Sequence, residues 1–467
     1  MNPTAPAATT ATDFSSLPLA PAVLDNLQRL GYVQMTPIQA ASLPLALAGK
    51  DLIAQSKTGS GKTAAFALPL LANLNPRRFA VQSLVVCPTR ELADQVTHEL
   101  RRLARAEDNI KILTLCGGAT MRGQLASLEH GAHVVVGTPG RILDHLARQT
   151  LALDALNTLV LDEADRMLDM GFAEDIATIV QACPAKRQTL LFSATYPEGI
   201  AKLATRFMRN PHEVKLTERH AASKIRQRFY EVTEANRLHT VGRLLAHYRP
   251  VSALAFCNTK RRCSELVAVL QAQGIVALEL HGDLDQRDRD QVLVQFAQRS
   301  CSVLVATDVA ARGLDIAELE AVINVDITPE AELHTHRVGR TGRGDEAGWA
   351  FSLASLDEME YVGRIDTMQG SDGVWHPVSE LVPASDEPLR PPMATLQILG
   401  GRKEKIRAGD VLGALTKDMG FAAAQIGKID VNEFSTYVAV DRLIAKAALQ
   451  ALNAGKVKGR SVKVRRL

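Results

Sequence analysis

The sequence predicts an α/β protein with two parallel-sheet lobes in tandem, followed by a small α+β domain. Short apolar runs of strand length alternate with segments of helical periodicity, and each run ends in a polar or glycine-rich stretch. Strands that are apolar on both faces and alternate with helices are typical of a parallel sheet. The pattern stops at a polar, charge-mixed connection near 216–226 and then begins again. Two lobes are the simplest account of this repetition.

Length and composition narrow the class of protein. A chain of 467 residues is too long for one ordinary core, and 46% hydrophobic with 22% charged residues indicates a globular protein. The first twelve residues lack the features of a secretory signal, and no apolar run approaches the roughly 18 residues of a spanning helix. The six cysteines form no CxxC pair and no Cys/His cluster, so neither a zinc site nor a disulfide framework is indicated. We expect a cytoplasmic protein, monomeric and without a membrane partner.

Apolar runs with polar ends mark the predicted strands of each lobe. The first lobe contains "DLIAQSKTGSGKT", "SLVVCPTREL", "KILTLCGG", "HVVVGTPGR", "TLVLDEAD" and "TLLFSAT". The second contains "SALAFCNTK", "VALELHGD", "SVLVATDVAARGLD", "AVINVD" and "GWAFSL". Ligands of such sheets bind beyond the carboxyl ends of the strands, so these polar ends hold the candidate functional residues. The predicted boundaries are a tail at 1–13, a first lobe at 14–215, a connection at 216–226, a second lobe at 227–370, a linker at 371–392 and a C-terminal domain at 393–467.

The C-terminal domain has the pattern of a small α+β fold. "TLQILGG", "QIGKIDV", "STYVAV" and "SVKVRRL" read as strands, and two segments between them have helical spacing. The order β-α-β-β-α-β is the ferredoxin-like arrangement of RNA-recognition folds. Residues 395–467 hold 14 Lys and Arg against 6 Asp and Glu, a surplus of +8 in a chain whose net charge is only +3. Such a concentration of cations predicts a nucleic-acid module.

A phosphate-binding loop is predicted between the first strand and a helical run. The motif "SKTGSGKT" has backbone N–H groups that can cradle phosphates at a helix N-terminus. Lys62 can reach the β and γ phosphates, and the Thr63 hydroxyl can bind Mg²⁺. Ser56 stands where the strict pattern has glycine. The predicted nucleotide-binding residues of this loop are Ser56, Lys57, Thr58, Gly59, Ser60, Gly61, Lys62 and Thr63.

An acidic cluster follows another predicted strand, in "LVLDEAD". Asp162 is suited to hold Mg²⁺, and Glu163 is suited to polarise the water that attacks the γ-phosphate. The alternative is a solvated helix cap, because Asp and Glu are common after strands. Together with the phosphate-binding loop, the cluster favours a nucleoside triphosphatase.

These motifs together resemble the complete set of the DEAD-box RNA helicases, in the same order and at family spacing. The set consists of "SKTGSGKT" (56–63), "PTREL" (88–92), "GG" (117–118), "TPGR" (138–141), "DEAD" (162–165), "SAT" (193–195), "ATDVAARGLDI" (306–316) and "HRVGRTGR" (336–343). The likeness covers about residues 14–365. It implies RecA-like lobes, RNA-dependent hydrolysis of ATP with Mg²⁺, and RNA bound along both lobes.

The resemblance also assigns nucleotide-binding residues outside the phosphate loop. "GYVQMTPIQ" (31–39) is similar to the family's adenine-reading motif, so Gln39 would contact the adenine edge and Phe14 would stack on its ring. If the resemblance is set aside, the simplest interpretation of Phe14 is a buried side chain that anchors the N-terminal tail. Asp315 would contact the ribose. Arg340 and Arg343 would reach the γ-phosphate as arginine fingers, while binding to RNA phosphate stays open for Arg337.

The resemblance implies a set of RNA contacts at strand-end loops and one coupling segment. In the first lobe the implied RNA contacts are Thr89, Arg90, Gly118, Thr138, Gly140 and Arg141, and in the second lobe Arg289 and Thr307. Ser193 and Thr195 would couple the ATP state to RNA strand separation by hydrogen bonding to the DEAD segment. Alternatively, these two side chains satisfy backbone groups at a strand end.

The C-terminal domain lacks the usual stacking platform of an RNA-recognition fold, because only Tyr437 is expected to face outward and Gln397 replaces the first strand's aromatic. Basic residues are the expected substitute, so the predicted RNA contacts here are Arg402, Lys403, Lys405, Tyr437, Lys456, Lys458 and Arg460. A solvated charged face is the alternative. A DEAD-box core followed by such a domain resembles the bacterial DbpA family, which implies binding to a hairpin of 23S ribosomal RNA.

The sequence therefore predicts an ATP-dependent RNA helicase that binds 23S ribosomal RNA and remodels nearby short duplexes during assembly of the large ribosomal subunit. One alternative is a general mRNA or cold-stress helicase whose basic tail is nonspecific. Another is an ATP-gated RNA clamp that does not hydrolyse ATP. The presence of Lys62, Glu163, Arg340 and Arg343 argues against a clamp.

Overall fold

The computed structural model describes residues 13–56, 60–195, 198–216, 225–311, 319–342, 347–370 and 372–467. Among the helices of these ranges, none combines the length and the apolar character that a membrane crossing needs. Contacts divide the chain into one unit that holds the first lobe and a second unit that holds the second lobe together with the C-terminal domain.

The first lobe is an α/β unit built on a parallel sheet. In the described part of the chain its strands are β1 (Leu52–Gln55), β2 (Ser83–Val86), β3 (Ile112–Leu115), β4 (Val134–Gly137), β5 (Thr158–Leu161), β6 (Gln188–Ser193) and β7 (His212–Lys215), in the order β3-β4-β2-β5-β6-β1-β7. The helices are α1 (Pro21–Arg29), α2 (Pro37–Leu47), α3 (Lys62–Ala72), α4 (Arg90–Leu103), α5 (Met121–Glu129), α6 (Pro139–Ala147), α7 (Ala164–Asp169), α8 (Ala173–Gln181) and α9 (Glu198–Phe207), with 3₁₀ turns at Phe14–Ser16 and Ala104–Ala106. Two apolar clusters cover the two faces of the sheet.

The second lobe repeats this architecture. Its described strands are β8 (Ile225–Glu231), β9 (Ala253–Phe256), β10 (Ala277–Leu280), β11 (Val303–Ala306), β12 (Ala321–Asn324), β13 (Gly348–Ala354) and β14 (Trp375–His376), in the parallel order β10-β11-β9-β12-β13-β8-β14. Its helices are α10 (Arg237–Tyr248), α11 (Lys260–Ala272), α12 (Gln286–Ala297), α13 (Asp308–Ala311), α14 (Ala331–Val338) and α15 (Met359–Gln369), with 3₁₀ turns at Leu356–Glu358 and Val378–Glu380. The predicted pair of parallel-sheet lobes is confirmed.

The C-terminal domain has the predicted β-α-β-β-α-β order. It consists of β15 (Met393–Ile398), α16 (Ala408–Gly413) continued by a π turn (Ala414–Asp418), a 3₁₀ turn (Ala423–Gln425), β16 (Ile426–Val431), β17 (Thr436–Asp441), α17 (Ala445–Ala454) and β18 (Val464–Arg466). The strands pair antiparallel in the order β16-β17-β15-β18. Leu396 and Val438 point into the core between sheet and helices, while Gln397 and Tyr437, partners across β15 and β17, point to the opposite face as expected.

The segment 371–392 was predicted to be a linker, and its described residues, 372–392, contact the second lobe. β14 adds an edge strand beside β8, and Leu381 and Leu389 are buried in the core of the lobe. His247 on α10 contacts the carbonyl of Val382 at 2.7 Å, and the Arg249 guanidinium donates to the carbonyl of Glu387 at 2.7 Å. Proline and glycine prevent long regular elements here, but they do not prevent side-chain packing. The described part of the connection is therefore held to the lobe at several points.

The outer face of the C-terminal sheet is covered by the second lobe. Gln298, which follows α12, donates through Nε2 to the Asp430 carboxylate at 2.9 Å and to the Tyr437 carbonyl at 3.3 Å. Its Oε1 accepts from the Thr395 hydroxyl at 3.0 Å, and that hydroxyl also lies 2.8 Å from the Ser300 hydroxyl. Gln298 and Thr395 are 2% and 1% exposed. We call this contact the docking face.

Candidate active site

The phosphate-binding loop joins β1 to α3, as the sequence predicts. The ammonium group of Lys62 is buried and donates to the carbonyl of Ser56 at 2.9 Å, and the Ser56 and Ser60 hydroxyls are 2.8 Å apart. Gly61 has φ +90°, a left-handed conformation, and a Cβ there would stand 2.5 Å from the Gln39 amide nitrogen. Glycine at this position therefore permits both the turn and the close approach of Gln39. Lys57, Thr58 and Gly59 lie outside the described residues.

The predicted adenine-reading residue is tied to this loop. Gln39 is buried in the first turn of α2, where its Oε1 accepts from the Thr36 backbone N–H at 2.9 Å and its Nε2 donates to the Gly61 carbonyl at 3.0 Å. Phe14 is 4% exposed and lies edge-on to Tyr32, with 6.1 Å between ring centroids. The structure thus places Phe14 in the core of the first lobe, in agreement with an anchor. Its stacking on adenine stays a prediction.

The acidic cluster follows β5 and is almost fully buried. Asp162 is 3% and Glu163 5% exposed, and burial together with the neighbouring Glu163 charge raises the pKa of Asp162 to about 7. Glu163 has φ +52°, a left-handed conformation that is uncommon for a non-glycine residue. Its carboxylate accepts from the Arg166 guanidinium at 2.7 Å. Sequence reasoning missed Arg166, although its position three residues along the same helix was a usable signal.

The fourth residue of the DEAD segment contacts the SAT segment. Asp165 Oδ2 accepts from the Thr195 N–H at 2.8 Å, the Thr195 hydroxyl at 3.0 Å and the Ala194 N–H at 3.1 Å. The Asp165 N–H donates to the Ser193 hydroxyl at 3.3 Å. Burial disfavours the Asp165 carboxylate, but the hydrogen bonds from Thr195 and Ser193 hold its pKa below the ordinary value. The predicted hydrogen bonding between these segments is present in the structure.

A cavity of about 590 Å³ opens beside these groups in the first lobe. Its lining residues are Tyr32, Gly61, Lys62, Thr63, Ala64, Leu92, Asp94, Gln95, Val96, His98, Glu99, Asp162 and Glu163. A cluster of three or more His, Cys, Asp or Glu side chains suited to a metal is absent from the described residues. Magnesium, however, usually takes one or two protein oxygens together with phosphate and water. The Thr63 hydroxyl and the buried, charge-crowded Asp162 carboxylate fit that requirement.

Three family descriptions match the chain. The DEAD/DEAH box helicase family matches residues 36–203, the helicase conserved C-terminal domain matches 236–345, and the DbpA RNA binding domain matches 395–466. The chain is 51% identical to the ATP-dependent RNA helicase DbpA of Escherichia coli over 459 residues, which cover 98% of this chain and 100% of that protein. The chain belongs to the DbpA family of DEAD-box RNA helicases. It is accordingly an ATP-dependent RNA helicase.

Other relatives of this DEAD-box helicase share the two lobes. The ATP-dependent RNA helicase CshA of Listeria monocytogenes is 46% identical over 356 residues, which cover 76% of this chain and 68% of that protein. The structure of S. cerevisiae Dbp5 bound to RNA and ADP BeF3 aligns with a TM-score of 0.73 and 30% identity, covering 79% of this chain and 97% of that one. Mss116 bound to ssRNA and UDP-BeF aligns with a TM-score of 0.70 and 27% identity, covering 80% and 82%.

The strand order of the helicase's first lobe separates two groups of loops. The phosphate loop, the SAT segment and the DEAD segment follow the adjacent strands β1, β6 and β5. The predicted RNA contacts follow the adjacent strands β2, β3 and β4; they are Thr89, Arg90, Gly118, Thr138, Gly140 and Arg141. Thr89 caps α4, Gly118 has φ +81°, and Arg141 donates to the Gln124 side chain at 2.6 Å. Because the strands are parallel, both groups of loops lie on the side of the sheet where the strands have their carboxyl ends.

In the second lobe of the helicase, Arg337 is a structural residue. It is 1% exposed, donates to both carboxylate oxygens of Asp308 at 2.7 and 2.6 Å, and also donates to Asn258 and to the Asp326 carbonyl. The interpretation of Arg337 as an RNA phosphate contact is therefore wrong, because its guanidinium is enclosed and its donors are engaged.

The structure describes some of the other predicted site residues of the second lobe and leaves two of them outside the described ranges. Arg340 is 6% exposed and follows α14. Arg289 donates to the Ala310 carbonyl at 2.8 Å, and Thr307 follows β11. Asp315 and Arg343 lie outside the described residues. The roles of all these residues stay predictions.

In the C-terminal domain of the helicase, the prediction that Tyr437 is open to RNA is wrong. Tyr437 points away from the domain core, but it is 5% exposed because the second lobe covers that face. Its hydroxyl accepts from the Gln397 amide at 3.2 Å, and Gln397 in turn accepts from the Arg465 guanidinium at 2.6 Å. The other predicted contacts of this domain are all exposed; they are Arg402, Lys403, Lys405, Lys456, Lys458 and Arg460.

Proposed function

We propose that this helicase binds 23S ribosomal RNA through its C-terminal domain and remodels nearby short duplexes during assembly of the large ribosomal subunit. The proposal rests on the properties of the C-terminal domain. It matches the DbpA RNA binding domain, it holds a surplus of eight positive charges over residues 395–467, and its predicted cationic contacts are exposed. Since the docking face is closed, we expect RNA phosphates to contact exposed cations such as these.

We further propose how the first lobe hydrolyses ATP in this cycle. Lys62 and the loop backbone would hold the phosphates, and Thr63 and Asp162 would hold Mg²⁺, which would neutralise charge on the β and γ phosphates. Glu163 accepts the proton of the attacking water, and Arg166 holds the Glu163 carboxylate in position through their 2.7 Å contact. Arg340 and Arg343 act as the arginine fingers. The position of Glu163 directly after β5, beside Lys62 and Asp162 on one cavity, supports these assignments.

The contacts of Asp165 with the SAT segment lead to the first prediction, which concerns the coupling of ATP hydrolysis to RNA strand separation. We expect the double substitution Ser193→Ala and Thr195→Ala to lower the rate of duplex unwinding about tenfold, since hydrogen bonds to a charged group contribute about 1.5–3 kcal/mol. ATP hydrolysis should fall much less, because Lys62, Asp162 and Glu163 are unchanged. Both rates are measured on the same short duplex. Thr178→Ala, which removes an exposed hydroxyl on α8, is the control and should change neither rate. Equal losses in both rates would contradict a coupling role.

The second prediction tests the RNA partner. We expect 23S ribosomal RNA to stimulate steady-state ATP hydrolysis strongly, and equal masses of 16S ribosomal RNA and a random-sequence duplex to stimulate it weakly. The measurement is made on the full chain at one physiological salt concentration, because binding to phosphates falls steeply with salt. Equal stimulation by all three RNAs would support the general helicase instead, and the absence of hydrolysis with any RNA would support the clamp.

A further inference from the structure

We propose that the exposed ring of Phe434 is a stacking platform for one unpaired nucleobase of the RNA that the C-terminal domain binds. The inference rests on the RNA binding of this domain and not on the identity of the RNA. Phe434 lies in the loop between β16 and β17 and is 61% exposed. The other aromatic residues of 395–467 are Phe421, which packs against the domain core, and Tyr437, which is buried. Phe434 therefore presents the open aromatic ring of this domain.

The closed docking face explains why a ring outside the sheet is needed. RNA-recognition folds usually stack bases on aromatic side chains of the two central strands. Here the corresponding positions are Gln397 and Tyr437, which are 4% and 5% exposed beneath the second lobe. A base cannot reach them unless the domain leaves the lobe. A stacking ring in the loop before β17 remains accessible in the full chain.

The loop that carries Phe434 is held against the first basic loop of the domain. The backbone N–H groups of Arg402 and Lys403 donate to the carbonyls of Asn432 and Glu433 at 2.9 and 3.0 Å. Gly401 permits this approach, because a Cβ there would clash with the Asn432 carbonyl oxygen. Two segments about 30 residues apart in the chain thus form one paired surface. The backbone next to Phe434 is thus ordered before RNA arrives, which lowers the entropic cost of binding.

One cation lies over the Phe434 ring, and another lies on the adjoining basic loops. Lys403 Nζ lies 4.1 Å from the Phe434 ring centroid and 3.3 Å from the Glu433 carboxylate. The turn that carries Lys458 is joined to the same surface, since its Nζ donates to the carbonyl of Lys405 at 2.5 Å. A base on the ring would place its flanking phosphates among these side chains. The alternative is that Lys403 and Phe434 form a cation–π pair that only stabilises the two loops.

Phe434→Ala in the full chain tests the inference. We expect the 23S ribosomal RNA concentration that gives half-maximal ATPase stimulation to rise about tenfold, since stacking of one base contributes about 1–3 kcal/mol. Phe434→Tyr keeps an aromatic face and should restore the wild-type value. Leu443→Ala is the matched control, because Leu443 is 85% exposed at the other end of β17. An unchanged value for Phe434→Ala, or an equal loss for Phe434→Tyr, would overturn the proposal.

Phe434→Trp supplies a direct readout of stacking. We expect 23S ribosomal RNA to quench the added tryptophan emission, relative to the wild-type chain, and a blunt duplex with the same number of phosphates to leave it unchanged. Equal quenching by both RNAs, or no quenching by either, would refute base stacking. If 23S and 16S RNA stimulate the wild type equally, the proposed function fails, and the effect of Phe434→Ala is then measured with either RNA. If the wild type prefers 23S RNA but Phe434→Ala changes nothing, the proposed function stands and the stacking platform fails.

Discussion

Replacement of Glu163 by glutamine is expected to lower RNA-stimulated ATP hydrolysis by about 10²- to 10⁴-fold, the range for loss of a general base. Glutamine has nearly the same shape and can still accept a hydrogen bond from Arg166, so the local packing is kept. Lys62, Thr63 and Asp162 still face the cavity. We therefore expect ATP and RNA to bind and then to remain bound, because the step that ends the cycle is blocked. Single-turnover hydrolysis and the dissociation rate of labelled RNA measure the two effects.

Glu174→Gln is the matched control for this experiment. Glu174 is exposed in the first turn of α8, and its substitution removes the same charge from the same lobe without touching the cavity. Its hydrolysis rate should equal that of the wild type. Turnover at the wild-type rate in Glu163→Gln would show that another group accepts the proton. Loss of ATP binding would show instead that Glu163 holds the nucleotide.

Replacement of Arg337 by methionine is expected to destabilise the second lobe by about 3–5 kcal/mol, the cost of removing one partner from a buried ion pair. Methionine replaces the volume but leaves the Asp308 carboxylate, the Asp326 carbonyl and the Asn258 amide without their donor. Both tryptophans of the chain, Trp349 and Trp375, lie in this lobe. Denaturant unfolding followed by tryptophan fluorescence therefore reports on the second lobe selectively.

Arg261→Met is the control for Arg337→Met. Arg261 pairs with Glu265 on the surface of α11, and its side chain is 88% exposed. Such pairs contribute about 0.3–0.5 kcal/mol, so the unfolding midpoint should hardly move. Arg337→Lys keeps the charge but loses the paired geometry, and should fall between the two. A normal midpoint for Arg337→Met combined with weaker RNA binding would restore the phosphate-contact interpretation that the structure excludes.

The sequence predicted the strands that are apolar along most of their length, including the edge strands β3 and β10, and it missed the strands at or beside the opposite edge of each sheet. β4 and β11 are apolar along their whole length, and such runs are visible without a structure. β7, β8 and β14 were not predicted. β7 is exposed at three of its four residues, β8 has Arg, Gln or Glu at four of its seven residues, and β14 has two residues. Strands that are very short, or whose residues are mostly polar or exposed, leave no apolar run in the sequence.

The motifs located the candidate site, but contacts between distant segments required the structure. Hydrogen bonding between the DEAD and SAT segments was expected from the family resemblance, but its acceptor, Asp165, was identified only once the structure placed β5 beside β6. The enclosure of Arg337 depends on Asp308 and Asn258, which are 29 and 79 residues away. The burial of Tyr437 depends on another domain. The residue types were visible in the sequence, but the groups that enclose Arg337 and Tyr437 were not.

Because of the docking face, an isolated C-terminal domain would expose a different surface to RNA than the same domain in the full chain. An isolated fragment would uncover Tyr437 and Gln397 and so offer RNA a stacking ring that the full chain keeps closed. The complementary fragment would leave the Gln298 amide, now bonded to Thr395 and Asp430, facing water on the second lobe. An affinity measured on the isolated domain would then include an artificial site. RNA contacts of this domain are therefore better mapped by point substitutions in the full chain than by deleting or isolating the domain.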